Sequence, residues 1–241
     1  MNAYWWSAKN FGDVLTPIIL EWVTGEKIVL VKRNDRGKVL AVGSVMAALR
    51  INDIVWGTGW HKHKIITAPP GVKFLAVRGP LTRKLIKGNV PEVYGDPALL
   101  LPKIYYPKIE KTHKVGIVPH YVEKKLIVAQ EGEKMIDIQA DWKKVIEDIL
   151  SCERIISSSL HGIICAEAFG IPTAWIQVSK KIIGKGLKFN DYFLSTGRKW
   201  QWASTQYKPN YLPPIVNIEK IQEVLIEKAQ YLKKRSTDNP K

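Results

Sequence analysis

Apolar positions fall into two rhythms along the chain. Short runs rich in β-branched residues occur at 27–31, 39–45, 53–56, 74–77, 114–120, 134–139, 154–157 and 173–176, each bounded by glycine, proline or polar turns, which predicts buried strands. Between them the spacing lengthens toward the 3.6-residue repeat of a helix. Residues 14–23 form an apolar helical segment that Thr24-Gly25 closes. Pro80 suits the first turn of a helix over 81–86, and a short helix is predicted at 46–49. Trp142, Val145, Ile146 and Ile149 share one face of a helix with Asp141 as its cap. A last helix, 218–234, places Ile218, Ile221, Leu225, Ala229 and Leu232 on one side and begins after Asn217.

Strands alternating with helices predict an α/β protein with two Rossmann-like lobes and a central crevice. The first lobe is expected over 1–105 and the second over 106–216; 217–241 supplies the final helix, crossing back to the first lobe, and a basic tail. With 241 residues the lobes must be trimmed. Residues 101–114, with prolines, tyrosines and lysines in no clear period, read as the connection. Residues 199–202 and 207–214 are aromatic and proline-rich, without regular structure. The unit at 154–177 organises the second lobe: strand, three serines, a helix from Leu160, the stop Gly170-Ile171-Pro172, and another strand.

Hydrophobic residues make up 46% of the chain, enough for a substantial core. The two cysteines, Cys152 and Cys165, argue against a disulfide framework. No apolar run approaches the roughly 20 residues that span a bilayer, and the first nine residues are too polar for a signal peptide, so a cytoplasmic protein is expected. The net charge of +15 favours polyanions: nucleic acid, the anionic inner face of a membrane, or a charged substrate. No nucleic-acid-binding signature and no metal-ligand spacing accompany it, so neither nucleic acid nor metal is expected.

Candidate chemistry gathers at the carboxyl ends of the predicted strands, where α/β sheets bind ligands. His161 sits where Ser157-Ser158-Ser159 meets a helix, and the free amides of Leu160 to Gly162 form an anion cradle in which an imidazole can hold or donate a proton. Arg78 follows the strand at 74–77, and a guanidinium binds carboxylate or phosphate through paired hydrogen bonds. His120 ends the strand at 114–120. Gly57 and Gly59 make a tight turn whose amides can face an anion or a sugar, or are simply a turn. In Asn10-Phe11-Gly12-Asp13, Gly12 permits close approach and Asp13 is a candidate helix cap. The lysine- and glycine-rich loop at 178–186 reads as a lid or a mobile surface, and Lys188 beyond it is expected to face negative charge.

These blocks, in order, resemble the polysaccharide pyruvyl transferases: Asn10-Phe11-Gly12-Asp13, Val77-Arg78-Gly79-Pro80, Gly95-Asp96-Pro97-Ala98-Leu99-Leu100, Ser157 to Gly162, Ala166-Glu167-Ala168-Phe169-Gly170-Ile171-Pro172, and Lys188-Phe189-Asn190-Asp191-Tyr192. The resemblance spans Asn10 to Tyr192 and implies a two-lobed, glycosyltransferase-B-like fold. It further implies transfer of the pyruvyl group of phosphoenolpyruvate to sugar hydroxyls of a lipid-linked acceptor, with no further cofactor. On it His161 is the acid, or the imidazolium that stabilises the leaving phosphate, and Arg78 is the clamp on the donor. Ser159, Leu160, Gly162, Asn10, Gly12, Asp13, Gly57, Gly59, His120 and Lys188 complete the expected substrate contacts. Many members carry arginine before the Leu-His pair; this chain has Ser159, as do exopolysaccharide members, and Lys188, His120 or Arg83 are the candidates for the missing charge. Tryptophans near Trp5 and Trp200, with the basic surface, suggest peripheral contact with an anionic membrane. A nucleotide-sugar glycosyltransferase and a non-catalytic polyanion-binding protein are the rival readings.

Overall fold

Two parallel sheets, wound in the same order, carry the structure, a computed structural model that describes residues 1–7, 10–206 and 208–238. The first half contains β1 (Asn2–Ala3), α1 (Phe11–Thr24), β2 (Val29–Leu30), β3 (Val39–Leu40), β4 (Ile54–Trp56), β5 (Ile66–Thr67), β6 (Lys73–Ala76), α2 (Pro80–Lys84) and β7 (Ile86–Lys87). A 3-10 turn at Pro97–Leu100 runs into α3 (Leu101–Ile104). The second half contains β8 (His113–Val118), β9 (Glu133–Met135), α4 (Trp142–Leu150), β10 (Cys152–Ser157), α5 (Leu160–Ala168), β11 (Thr173–Trp175) and α6 (Leu187–Ser195), and α7 (Ile218–Asp238) follows.

The first sheet has the order β2-β1-β3-β4-β6 and the second β11-β10-β8-β9. All named pairings in both are parallel. Strand order reverses between β1 and β3 in the first sheet and between β8 and β10 in the second. A crevice opens at such a reversal, because the flanking connections leave to opposite faces. The fold is therefore a Rossmann-like α/β arrangement.

One apolar cluster runs from Ala3, Val39 and Trp56 through Leu15, Ile19, Leu99 and Leu100 to Ile163, Ile155 and Val145, so the two sheets share a core. Helix α7 returns to the first sheet. Leu225, Ala229 and Leu232 are fully buried, the Trp56 indole N–H donates to the Leu225 carbonyl at 3.1 Å, and Gln222 Nε2 donates to the Leu99 carbonyl at 2.7 Å. Helix α4 starts as its pattern requires, with Asp141 Oδ1 accepting from the Lys143 amide. Both cysteines are buried and free.

Several elements differ from the sequence pattern for physical reasons. The run at 39–45 stays in the sheet for Val39 and Leu40 alone; Gly43 adopts φ +97° and the chain turns away, its carbonyl accepting the Gly59 amide at 2.9 Å. Ile86, expected in a helix, pairs instead with Ile66 in a two-residue ladder too short to announce itself. Helix α1 begins at Phe11, so Asn10 holds the N-cap position and Asp13 lies inside the first turn. The irregular stretch 207–214 begins at Tyr207, which lies outside the described residues; Tyr211 bridges to Ala174 beside it.

Candidate active site

The segments that follow the four strands at the two reversals converge on one pocket of about 490 Å³. Tyr4, Trp6, Asn10 and Asp13 reach it after β1; Gly43, Ser44 and Ala48 after β3; His120 and Tyr121 after β8; Ser159, Leu160 and His161 after β10. His61, Lys62, Arg33, Lys181 and Lys188 complete the wall. A larger groove of about 950 Å³ lies at the opposite, amino end of β11, lined by Tyr106, Phe169, Tyr211, Pro213, Glu219 and Glu223. Its size is the greater, yet three glutamates, Glu167, Glu219 and Glu223, against the single Lys103, together with the carboxyl end of α5, suit it poorly to an anion, whereas several cations and a helix N-terminus line the smaller pocket.

His161 is buried at the start of α5. A β-carbon at Gly12 would fall 1.8 Å from His161 Nδ1, so glycine there is what lets α1 and α5 bring their N-termini together. Ser159 occupies the N-cap of α5 without a side-chain bond to the helix, leaving the first-turn amides of Leu160 to Gly162 uncapped by it. Gly162 itself faces inward: a β-carbon would meet Ser157 Oγ at 2.6 Å and Val118. The first two serines splice strands rather than bind guests. Ser157 Oγ lies 2.7 Å from the Val118 carbonyl and accepts the Ser159 amide at 3.0 Å, and Ser158 Oγ accepts the His120 amide at 2.9 Å.

Around His161 the charges alternate. Burial raises the Asp13 carboxyl above its usual value, while a hydrogen bond from Asn10 and the nearby His161 and Lys188 act the other way. Lys188, from the first turn of α6, has its ammonium lowered to about 8 by burial and by the Arg78 charge behind it, with Asp13 and Glu123 opposing. His120 is driven down to about 4 by burial and by the neighbouring Lys188 and His161, so it is neutral at pH 7. It cannot supply the charge that Ser159 lacks. Arg83 cannot either, since it pairs with Glu92 at 3.1 Å outside the pocket. Of the three candidates Lys188 is the one placed to do so, and Lys62, Lys181 and Arg33, which the sequence did not single out, add cations to the wall.

Arg78 is not where the sequence reading put it. Its side chain is fully buried beneath the pocket and does not line it. Nε donates to Asp191 Oδ2 at 3.2 Å, Nη2 to the Trp60 carbonyl at 3.1 Å and Nη1 to Ser44 Oγ at 2.8 Å. The reason is local: Asp191, on α6, is buried and needs a cation, and Thr82 adds its amide at 2.8 Å and its hydroxyl at 2.6 Å. Arg78 thus ties β6 to α6 and reaches the pocket through Ser44 and through its field. Gly59 is shaped by it, since a β-carbon there would lie 2.1 Å from Arg78 Cζ. Gly57 is at φ +89° and would collide with Pro97, and both glycine amides bond to backbone, Gly57 to Ala76 and Gly59 to Gly43. These two glycines are turn and packing residues, with no amide left for an anion.

The fold and pocket define an α/β protein with a cation-lined pocket at the carboxyl ends of two parallel sheets. Residues 26–180 match the family described as polysaccharide pyruvyl transferase, and the chain belongs to that family. It is a pyruvyl transferase of polysaccharide biosynthesis. The chain is 31% identical over 205 residues to uncharacterized protein L143 of Acanthamoeba polyphaga mimivirus, an alignment covering 76% of this chain and 69% of the relative. It is 26% identical over 246 residues to the succinoglycan biosynthesis protein ExoV of Rhizobium meliloti (strain 1021), covering 96% of this chain and 72% of that one. No solved structure matches it.

Proposed function

We propose that the chain transfers the pyruvyl group of phosphoenolpyruvate to two hydroxyls of a sugar in a lipid-linked exopolysaccharide precursor, forming a ketal and releasing phosphate. The observation that carries this reading is the meeting of His161, Lys188 and the first-turn amides of α5 in one pocket of a size suited to a small phosphorylated acid and part of a sugar. Protonation of the donor's methylene carbon makes the adjacent carbon electrophilic. One sugar hydroxyl adds there, phosphate leaves, and the second hydroxyl closes the ring. In this scheme His161 is the acid and then stabilises departing phosphate. The amides of Leu160 to Gly162, with Lys188, hold the anionic donor; Ser159, Asn10 and Asp13 line it, Gly12 seats the His161 ring from behind, and His120 contributes as a neutral hydrogen-bonding group. No cofactor beyond the donor is required.

A trimmed glycosyltransferase-B-like pair of lobes, 1–105 and 106–216, is the reading the two sheets support, with α7 within 217–241 bracing the first lobe. Because they share a core, chemistry in the crevice does not call for wide hinge closure. Among the described residues no helix is long and apolar enough to cross a membrane. Exposed Trp6, Tyr121 and Ile183 at the pocket mouth, beside Lys62 and Lys181, suit peripheral contact with the anionic inner face where a lipid-linked acceptor would lie. Trp5, by contrast, packs against the core.

Thermal shift with phosphoenolpyruvate and with nucleotide sugars, followed by phosphate release with a panel of lipid-linked saccharides, tests the reading. Stabilisation by phosphoenolpyruvate and acceptor-dependent phosphate release are expected. Stabilisation by a nucleotide sugar instead would assign the pocket to a different donor.

A further inference from the structure

Two buried polar atoms beneath the pocket face each other without a hydrogen-bond partner: Asp96 Oδ2 and His161 Nε2, 3.5 Å apart. Asp96 is fully buried, in the turn that leads into Pro97–Leu100, and its other oxygen, Oδ1, accepts the Ala98 amide at 3.0 Å. That second bond fixes the carboxyl plane and aims Oδ2 at the ring. Burying either atom unpaired is unfavourable, and the pair becomes an N–H···O hydrogen bond when it closes by about half an ångström. Catalytic hydrogen bonds are commonly long before substrate binds and tighten afterwards.

We propose that Asp96 is the positioning residue for His161: it accepts the Nε2 proton, leaves Nδ1 as the nitrogen that exchanges a proton with the substrate, and stabilises the imidazolium. The inference rests on the acid role given to His161 above. Nδ1–H delivers its proton to the donor methylene carbon, whose π electrons form the new C–H bond. The neutral ring stays anchored through Nε2–H, and the attacking sugar hydroxyl returns a proton to Nδ1 as its C–O bond forms. The other charged or titratable groups around the ring are Asp13 from α1, His120 after β8 and Lys188 from α6. Asp13 and Asp96 bring carboxylates to the ring, Lys188 a cation, and His120 is neutral in the working range.

Asp96→Asn keeps an oxygen for the Ala98 amide but offers N–H to Nε2, which enforces the wrong tautomer. The expected result is a kcat for phosphate release reduced at least about tenfold. The KM for phosphoenolpyruvate and the Tm stay near those of the unsubstituted enzyme. The limb of the kcat profile that needs protonated His161 moves to lower pH, because a negative charge 3.5 Å from the ring is removed. Nitrogen-15 shifts of the intact enzyme, which need no variant, should show neutral His161 protonated at Nε2; an Nδ1–H tautomer overturns the proposal. A lowered Tm with unchanged kcat and pH limb also overturns it, since Asp96 would then be structural alone. His161→Gln separates the two levels: if it retains full phosphate release, the acid assignment itself fails. If it is inactive while Asp96→Asn keeps the original kcat and pH limb, only the role of Asp96 fails.

Discussion

Replacing Arg78 by alanine should unfasten the two halves of the molecule rather than simply empty a binding site. The substitution removes the guanidinium from Asp191, Ser44 and the Trp60 carbonyl in a place where both partners of the ion pair are fully buried. Breaking such a pair costs about 3–5 kcal/mol, because one charge is left behind without its partner. Asp191 still receives the Thr82 amide and hydroxyl, so the lower end, about 3 kcal/mol, is the better figure. For a chain of this size that corresponds to a Tm lowered by about 6–12 °C. Calorimetry on Arg78→Ala, Asp191→Leu and the pair Arg78→Met with Asp191→Leu checks it. The pair should recover part of the loss, as apolar replacement of a buried ion pair commonly does. A Tm within about 2 °C of the unsubstituted protein, together with a large rise in KM for phosphoenolpyruvate, would refute this placement and restore Arg78 as a donor clamp.

Other consequences are quicker to check. Gly12→Ala should raise helix propensity in α1 by about 0.5–1 kcal/mol yet lower phosphate release at least about tenfold, since its methyl occupies the place of His161 Nδ1; unchanged kinetics would contradict the packing. Lys188 is charged below about 8, so affinity for phosphoenolpyruvate should fall as pH rises through that value, and Lys188→Arg should move the fall to higher pH; a flat profile in direct binding measurements removes Lys188 from the donor site. Glu167 accepts from Arg198, Tyr192 and Thr173 in the interior, so Glu167→Ala should destabilise by about 3–5 kcal/mol in denaturant titration without a specific change in KM. Flotation with anionic and neutral vesicles should recover more protein on the anionic ones, and Trp6→Ser with Ile183→Ser should reduce that recovery; equal recovery on both would count against membrane contact.

Strand positions were legible where parallel strands buried on both faces read as short apolar runs, as at Ile54–Trp56 and at the Ile155-Ile156 pair inside Cys152–Ser157. The place of His161 was legible for a related reason: a Ser-Leu-His-Gly junction between a strand and a helix falls at the carboxyl end of the sheet, where the pocket lies. The fate of Arg78 was not. From the chain alone a guanidinium after a strand looks the same whether it meets a substrate or a buried carboxylate 113 residues away. Asp96 was hidden likewise, because its partner His161 comes from another sheet's helix. The glycines at 57 and 59 suggested free amides, and only the neighbouring Pro97 and Arg78 side chains explain why glycine is required. Short ladders such as β5 with β7 depend on pairing across sequence, which local pattern does not carry.

Everything functional depends on the donor entering the pocket beside His161 and not the larger groove beneath Phe169. A crystal structure with phosphoenolpyruvate bound is the direct test. Donor oxygens should lie within hydrogen-bonding distance of the Leu160 to Gly162 amides and of Lys188 Nζ, with the methylene carbon next to the His161 ring. A donor seated instead among Tyr106, Phe169 and Tyr211, with the His161 pocket empty, would contradict the account.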